Sequence, residues 1–130
     1  MPSLFSRIVQ KELPSYGILE DEQFYAFLDI RPVTDGHTLV VPKVEVDQLF
    51  DLDPAHLSAI LQFAKPIADA LKIVTRCDRV GLVVAGFEVP HAHLHLIPAN
   101  EMEDLDFGRA HFAPEEALRD MAQRLREVLS

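Results

Sequence analysis

Only one of the 130 residues is cysteine, Cys77, so the chain can form no internal disulfide and no multi-cysteine metal site. Basic residues are scarce, with 12 Lys and Arg against 21 Asp and Glu and a formal charge of −9. That balance excludes a general nucleic-acid binder, which needs a basic footprint, and it argues against adhesion to anionic membranes. An anionic substrate must then be held by local groups acting against the global field. Long apolar runs are missing, and Met1 to Phe5 lacks a basic-then-apolar leader pattern. The expectation is a soluble, cytoplasmic domain with no membrane association. Glycine numbers five, with no repeat, low-complexity tract or Gly/Ser linker. What remains is 48% apolar and 25% charged, the balance of a single globular domain over residues 1–130.

Turn chemistry punctuates the first half. Gln23 to Ile30 reads as a strand, Arg31-Pro32-Val33-Thr34-Asp35-Gly36 as a turn, and His37 to Val41 as a second strand stopped by Pro42, together an antiparallel hairpin. Asp53-Pro54 starts a helix whose apolar stripe is Leu57, Ile60, Leu61, Ala64, Ala68 and Leu71, with Pro66 marking a kink or a packing site. Val80 to Ala85 and His91 to Ile97 read as strands on either side of a Gly86-Phe87-Glu88 break. Residues 99–113 form an irregular acidic arm. Pro114 then opens a last helix carrying Ala117, Leu118, Met121, Leu125 and Val128 on one side. The order β-β-α-β-β-α predicts an α+β fold, an antiparallel sheet with helices packed on one side.

Three of the six histidines fall within five residues, His91-Ala92-His93-Leu94-His95. On a strand their imidazoles share one face about 7 Å apart, while Ala92, Leu94 and Leu96 face a core. Three readings compete. A solvated strand face is the blandest, and His is not a favoured residue there. A zinc site needs a third protein ligand beside a His-x-His pair, and His37 or Glu88 could supply it. Phosphoryl chemistry would use one neutral imidazole as nucleophile and its neighbours as hydrogen-bond donors, within reach of a pKa of about 6.5. The residues by themselves leave the last two open.

The sequence resembles the histidine-triad (HIT) superfamily of nucleotide hydrolases and transferases. His91 to Ile97 fits the family signature His-φ-His-φ-His-φ-φ, with φ apolar. Leu4-Phe5-Ser6-Arg7-Ile8-Val9, Ala26-Phe27-Leu28-Asp29-Ile30-Arg31-Pro32 and Gly36-His37-Thr38-Leu39-Val40-Val41-Pro42-Lys43 match in order, so the likeness spans about residues 3–98. It implies that His93 is the nucleophile, forming a nucleotidyl-histidine intermediate from the α-phosphorus of a nucleotide. It implies that His95 and His37 contact the phosphate, that His91 helps fix the nucleophile, and that Asp29 accepts from the ribose hydroxyls. Phe5, Ile8, Phe27 and Ile30 match positions that enclose the base; each could equally be ordinary core. The family works as a homodimer with the sheet continued across it. The implied ligand is a purine nucleotide or nucleotide conjugate, such as a phosphoramidate, cleaved with no required cofactor.

Two departures stand out. Where many bacterial members bind a structural zinc through Cys-x-x-Cys, a histidine and a triad histidine, this chain has Ser3, Ser6 and Glu45, and the zinc is expected to be absent. The family's Asn-x-Gly-x-x-x-Gly-Gln-x-Val stretch is shortened to Val84-Ala85-Gly86-Phe87-Glu88-Val89, removing donors to the phosphate and leaving group. Glu88 is the remaining polar side chain there and could act as a general acid if burial beside Phe87 raised its pKa. A nucleotide sensor with little turnover and a zinc hydrolase using the same strand are the rival functions.

Overall fold

Ser3 caps the first element. Its hydroxyl accepts from the Ser6 N–H and starts the short helix α1, Leu4–Val9. A computed structural model describes residues 2–130; Met1, and with it the first residue of the Met1–Phe5 stretch, lies outside the described residues. Strands β1 (Gly17–Glu20), β2 (Phe24–Leu28) and β3 (Thr38–Pro42) follow, then the long helix α2 (Pro54–Thr75). Strands β4 (Arg79–Val83) and β5 (Leu94–Ala99) and helix α3 (Glu115–Leu129) complete the chain. The five strands form one antiparallel sheet in the order β1-β2-β3-β5-β4. The α+β class is therefore as the sequence predicts.

The expected hairpin is β2–β3, paired from Leu28↔Thr38 to Phe24↔Pro42. Its turn closes with the His37 N–H on the Thr34 carbonyl and with Gly36 at φ +93°, where a Cβ would also crowd Leu71 and Pro98. Period-two alternation then divides the sheet. Ala26, Leu28, Val40, Leu94 and Leu96 face α2 and α3 in the main core, with Ile60, Ala64, Ile67, Leu71, Leu118 and Leu125. The other face carries Phe5, Ile8, Tyr25, Phe27, Leu39 and Val41. The two long helices lie on one side as predicted, while the short α1 covers part of the opposite side.

Several details differ from the sequence reading. Helix α2 runs unbroken through Pro66, which is exposed, so the backbone bond that proline removes falls on the solvent side. Its buried stripe is Ile60, Ala64, Ile67, Ala70 and Leu71, whereas Leu61 is 53% exposed. On α3, Ala117 and Val128 are exposed and Ala122 is buried instead. Strand β5 begins at Leu94, three residues later than expected. The ladder with β3 reaches only Val40↔Leu94 and that with β4 only Val83↔His95. Beyond it the Ala92 N–H bonds the Val46 carbonyl, so His91 to His93 run on as an extended lead-in with their alternation intact. The acidic arm contains two single 3-10 turns, Met102–Leu105 and Phe107–Arg109.

Candidate active site

All three triad imidazoles are buried, as is His37, which removes the solvated-face reading. The rings lean together: the His93 and His95 centroids are 4.8 Å apart, closer than the backbone repeat alone suggests. Hydrogen-bond donors that cannot act otherwise assign each tautomer. The His91 ring bonds the Pro42 carbonyl through Nε2 at 2.8 Å, so Nε2 carries the proton and Nδ1 accepts from the Ser3 hydroxyl at 2.7 Å. His93 donates Nδ1–H to the His91 carbonyl at 2.7 Å, which leaves Nε2 as its one nitrogen with a free lone pair. The Val33 N–H donates to His37 Nδ1 at 3.1 Å, so His37 Nε2–H donates to His95 Nδ1 at 2.9 Å. His95 therefore keeps its remaining proton on Nε2. A lone pair and a donor thus sit side by side.

Electrostatics supports neutral rings. Burial pushes the His95 pKa down to about 3 and that of His37 down to about 4, with nearby imidazoles adding to both shifts. Burial also lowers His93, opposed by its bond to the His91 carbonyl. Asp29 moves the other way, raised chiefly by burial. Its Oδ1 accepts from the Arg31 N–H at 2.9 Å in a turn, so part of its role is the local one, while Oδ2 lies 3.7 Å from His37 Nε2, beyond hydrogen-bond reach.

His93 and His95 line a cavity of about 600 Å³, large enough for a nucleotide-sized ligand. Phe5, Ile8, Phe27, Asp29, Ile30 and Glu88, all singled out from the sequence, line the same cavity. Phe5 stands edge-on to His93 at 4.9 Å and to Phe27 at 5.6 Å. Ile30 sits at the rim, 51% exposed. His91 does not line the cavity; both its ring nitrogens are bonded, and it acts on His93 through its carbonyl. Phe87 is 96% exposed and Glu88 is exposed too, so the burial that general-acid action by Glu88 required is missing. The loop turns at Gly86, φ +84°.

The positions of the family zinc site do converge, but on one another. Glu45 Oε1 accepts from the Ser3 N–H and from the Ser6 hydroxyl, each at 2.6 Å, and these bonds hold its carboxyl down at about 2. With the Ser3–His91 bond they tie α1 to β3 and to the triad. Hydroxyls already committed in this way do not fit a zinc ion. Elsewhere among the described residues, potential ligand atoms of Asp29, His37 and His95 lie within 4.8 Å of one another. The His37–His95 nitrogens are hydrogen-bonded at 2.9 Å, whereas two nitrogens on one tetrahedral zinc stand about 3.3 Å apart. On the triad strand the His91–His93 pair is not available to a zinc, since both His91 nitrogens are bonded.

Among the lining residues that the sequence did not single out, which include Leu13, Pro14, Ser15 and Ala110, Phe107 is the one against the histidine rings. Its ring lies 4.8 Å from that of His95 and 6.0 Å from that of His37.

A buried row of histidines beside a nucleotide-sized cavity, on a five-stranded antiparallel sheet, defines a histidine-triad protein. The HIT domain family model matches residues 10–102, and the chain belongs to that family. It is 39% identical over 113 residues to an uncharacterized HIT-like protein of Borreliella burgdorferi, spanning 82% of this chain and 81% of that one. It is 36% identical over 99 residues to the adenosine 5′-monophosphoramidase HNT1 of Saccharomyces cerevisiae, spanning 75% of this chain and 63% of the yeast protein. A crystal structure of a Hit-like protein involved in cell-cycle regulation from Bartonella henselae superposes with a TM-score of 0.86 at 30% identity, covering 97% of this chain and 95% of that one. A zinc-bound histidine triad family protein from Mycobacterium smegmatis gives 0.83 at 31% identity, covering 97% and 91%.

Proposed function

We propose that this protein is a nucleoside phosphoramidase that cleaves the phosphoryl bond of a purine nucleotide conjugate through His93. The observation that carries the reading is the tautomer of His93: its Nδ1–H is tied to the His91 carbonyl, leaving Nε2 as the lone pair beside the cavity. Attack of Nε2 on the α-phosphorus breaks the phosphorus–nitrogen bond, the amine takes a proton from solvent as it leaves, and the ring becomes a cation. The bond to the His91 carbonyl is then charge-assisted and steadies that cation. His95 Nε2–H donates to a phosphate oxygen as its charge grows. Water afterwards resolves the nucleotidyl-histidine. Asp29 Oδ2 is assigned to the ribose hydroxyls, and Phe5, Ile8, Phe27 and Ile30 to the base. Among the described residues, two carboxylates, Asp29 and Glu88, and a single cationic side chain, Arg31, line the cavity. That balance favours an amine leaving group over an anionic phosphate chain.

The reading includes a homodimer and no structural zinc. The edge strand β4 exposes Leu82, Val84 is exposed just beyond its end, and α2 exposes Leu61 and Ile73, apolar surface suited to continuing the sheet across a two-fold. The Ser3–Ser6–Glu45–His91 bonds would do the zinc's work, so chelators should leave the melting temperature unchanged. The location is proposed to be cytoplasmic; no helix among the described residues is long and apolar enough to cross a membrane. The test is acid quenching of protein mixed with an adenosine phosphoramidate, followed by mass measurement. A covalent nucleotidyl adduct on His93 is expected. Binding with neither adduct nor turnover would leave a nucleotide sensor.

A further inference from the structure

Phe107 sits in the middle of the acidic arm, at the start of a single 3-10 turn with no longer helix or strand to hold it, yet the chain on both sides of it is anchored. Upstream, Asp104 Oδ2 accepts from the N–H groups of Asn100 and Glu101 at 2.9 and 3.3 Å. Leu105 then seats on β4 over Gly81, where a Cβ would come within 2.6 Å of the leucine methyl. Asp106 caps the turn by accepting from the Gly108 N–H at 2.8 Å. Downstream, the Ala113 N–H bonds the Ile30 carbonyl at 3.1 Å and the His111 N–H the Pro32 carbonyl at 3.4 Å, next to Asp29. The arm is thus fastened to both sides of the site with Phe107 between the fastenings.

The ring itself adds little to either core. Phe107 is 40% exposed and belongs to neither apolar cluster. What it touches is the histidine pair, nearly perpendicular to His95 at 78° and to His37 at 69°. An aromatic residue left half in water, with its other side on two imidazoles, is placed for those imidazoles.

We propose that Phe107 is a positioning residue, whose ring covers the His37–His95 hydrogen bond and keeps water from it, so that His95 is held as the single Nε2–H tautomer. An imidazole open to water exchanges between its two neutral tautomers, whereas a buried one takes the form its partners dictate. His95 accepts at Nδ1 from His37, which accepts in turn from the Val33 N–H, and the chain of donors is only as fixed as its exclusion of competing water. The proposal rests on the reading of His95 as the phosphate donor only for its catalytic consequence.

The experiment compares the full-length protein with Phe107→Ala and Phe107→Tyr, each carrying 15N-labelled histidine, at neutral pH and without substrate. The parent and Phe107→Tyr should show His95 ring nitrogens at the separated positions of one tautomer. Phe107→Ala should show them drawn together by exchange. Phe107→Val serves as the truncation if the alanine variant fails to fold. With an adenosine phosphoramidate, the truncation should lower kcat by about tenfold or more and leave KM within about threefold, the pattern of a misplaced transition-state contact. Unchanged His95 shifts in the truncation, or a tyrosine variant that behaves like the truncation, would overturn the proposal. Shifts that move with no change in kcat would overturn its catalytic part. If no protein turns over the substrate while the shifts move as expected, the phosphoramidase reading fails and the positioning of the pair stands.

Discussion

His37 joins the Val33 backbone N–H to the His95 ring, and replacing it by Leu measures that link. The substitution keeps an apolar body in the pocket but orphans the Val33 N–H and leaves His95 Nδ1 without its donor. With one buried donor and one acceptor unpaired, the expected loss at pH 7.5 is about 3 kcal/mol, a fall of roughly 10 °C in Tm. The pH dependence supplies a second number. Wild-type His37 has a folded pKa of about 4 against about 6.5 unfolded, so below pH 6.5 the unfolded chain binds the extra proton. Stability therefore rises with pH through this window and is lost as pH falls from about 6.5 toward 4. At pH 5 the wild type has lost about 2 kcal/mol through His37, 1.5 pH units at about 1.36 kcal/mol each. The leucine variant has no such proton to bind. The gap between the two proteins should then shrink from about 3 to about 1 kcal/mol. Urea unfolding of both at pH 7.5 and pH 5 makes the comparison. A gap that stays constant, or widens in acid, would refute the assignment of His37 as a buried neutral donor.

His93→Ala should abolish turnover while nucleotide affinity, measured by calorimetry, stays within about tenfold; substantial residual activity would displace His93 as nucleophile. Asp29→Ala should weaken ribonucleotides by roughly 1–3 kcal/mol and hardly touch 2′,3′-dideoxy analogues, whereas equal weakening would make its turn bond to Arg31 its whole role. Sedimentation at micromolar concentration should show a dimer, and a 14.6 kDa species would count against the β4 edge as an interface. Across phosphoramidates graded by leaving-group basicity, the wild type should show a steep dependence that Phe87→Gln flattens, since about 3 kcal/mol rides on one donor to a developing charge. Equal slopes would make the 84–89 loop a packing variation.

The parts of the site that were legible in the sequence share one property: local periodicity determines them. Alternation alone places His91, His93 and His95 opposite Leu94 and Leu96, and the structure keeps that alternation even where the ladder has ended. Turn chemistry likewise announces the β2–β3 hairpin that brings His37 up to His95. Helix α1 was not legible, because six residues are too few for a period and its cap, Ser3, is an ordinary serine until His91 and Glu45 arrive from distant segments. The start of β5 differs for a related reason, since the pairing ends at Val40↔Leu94 and Val83↔His95 and the triad's own residues carry no mark of it.

Phe107 shows the limit most plainly. Within its own stretch it is one of several apolar residues, with Met102, Leu105 and Phe112, scattered among acidic ones, with no stripe or alternation to give it direction. Its place depends on Gly81 lacking a side chain 26 positions earlier and on carbonyls at Ile30 and Pro32, 77 and 75 positions before it. None of these residues alone resembles part of an active site. Each one removes a freedom from the arm, and only their sum sets the ring over His95. A reading by local pattern finds the triad, because His93, the proposed nucleophile, and His95, the proposed donor, sit two residues apart in the sequence. The groups that hold them can come from anywhere in the chain that the fold brings near, so no spacing rule reports them.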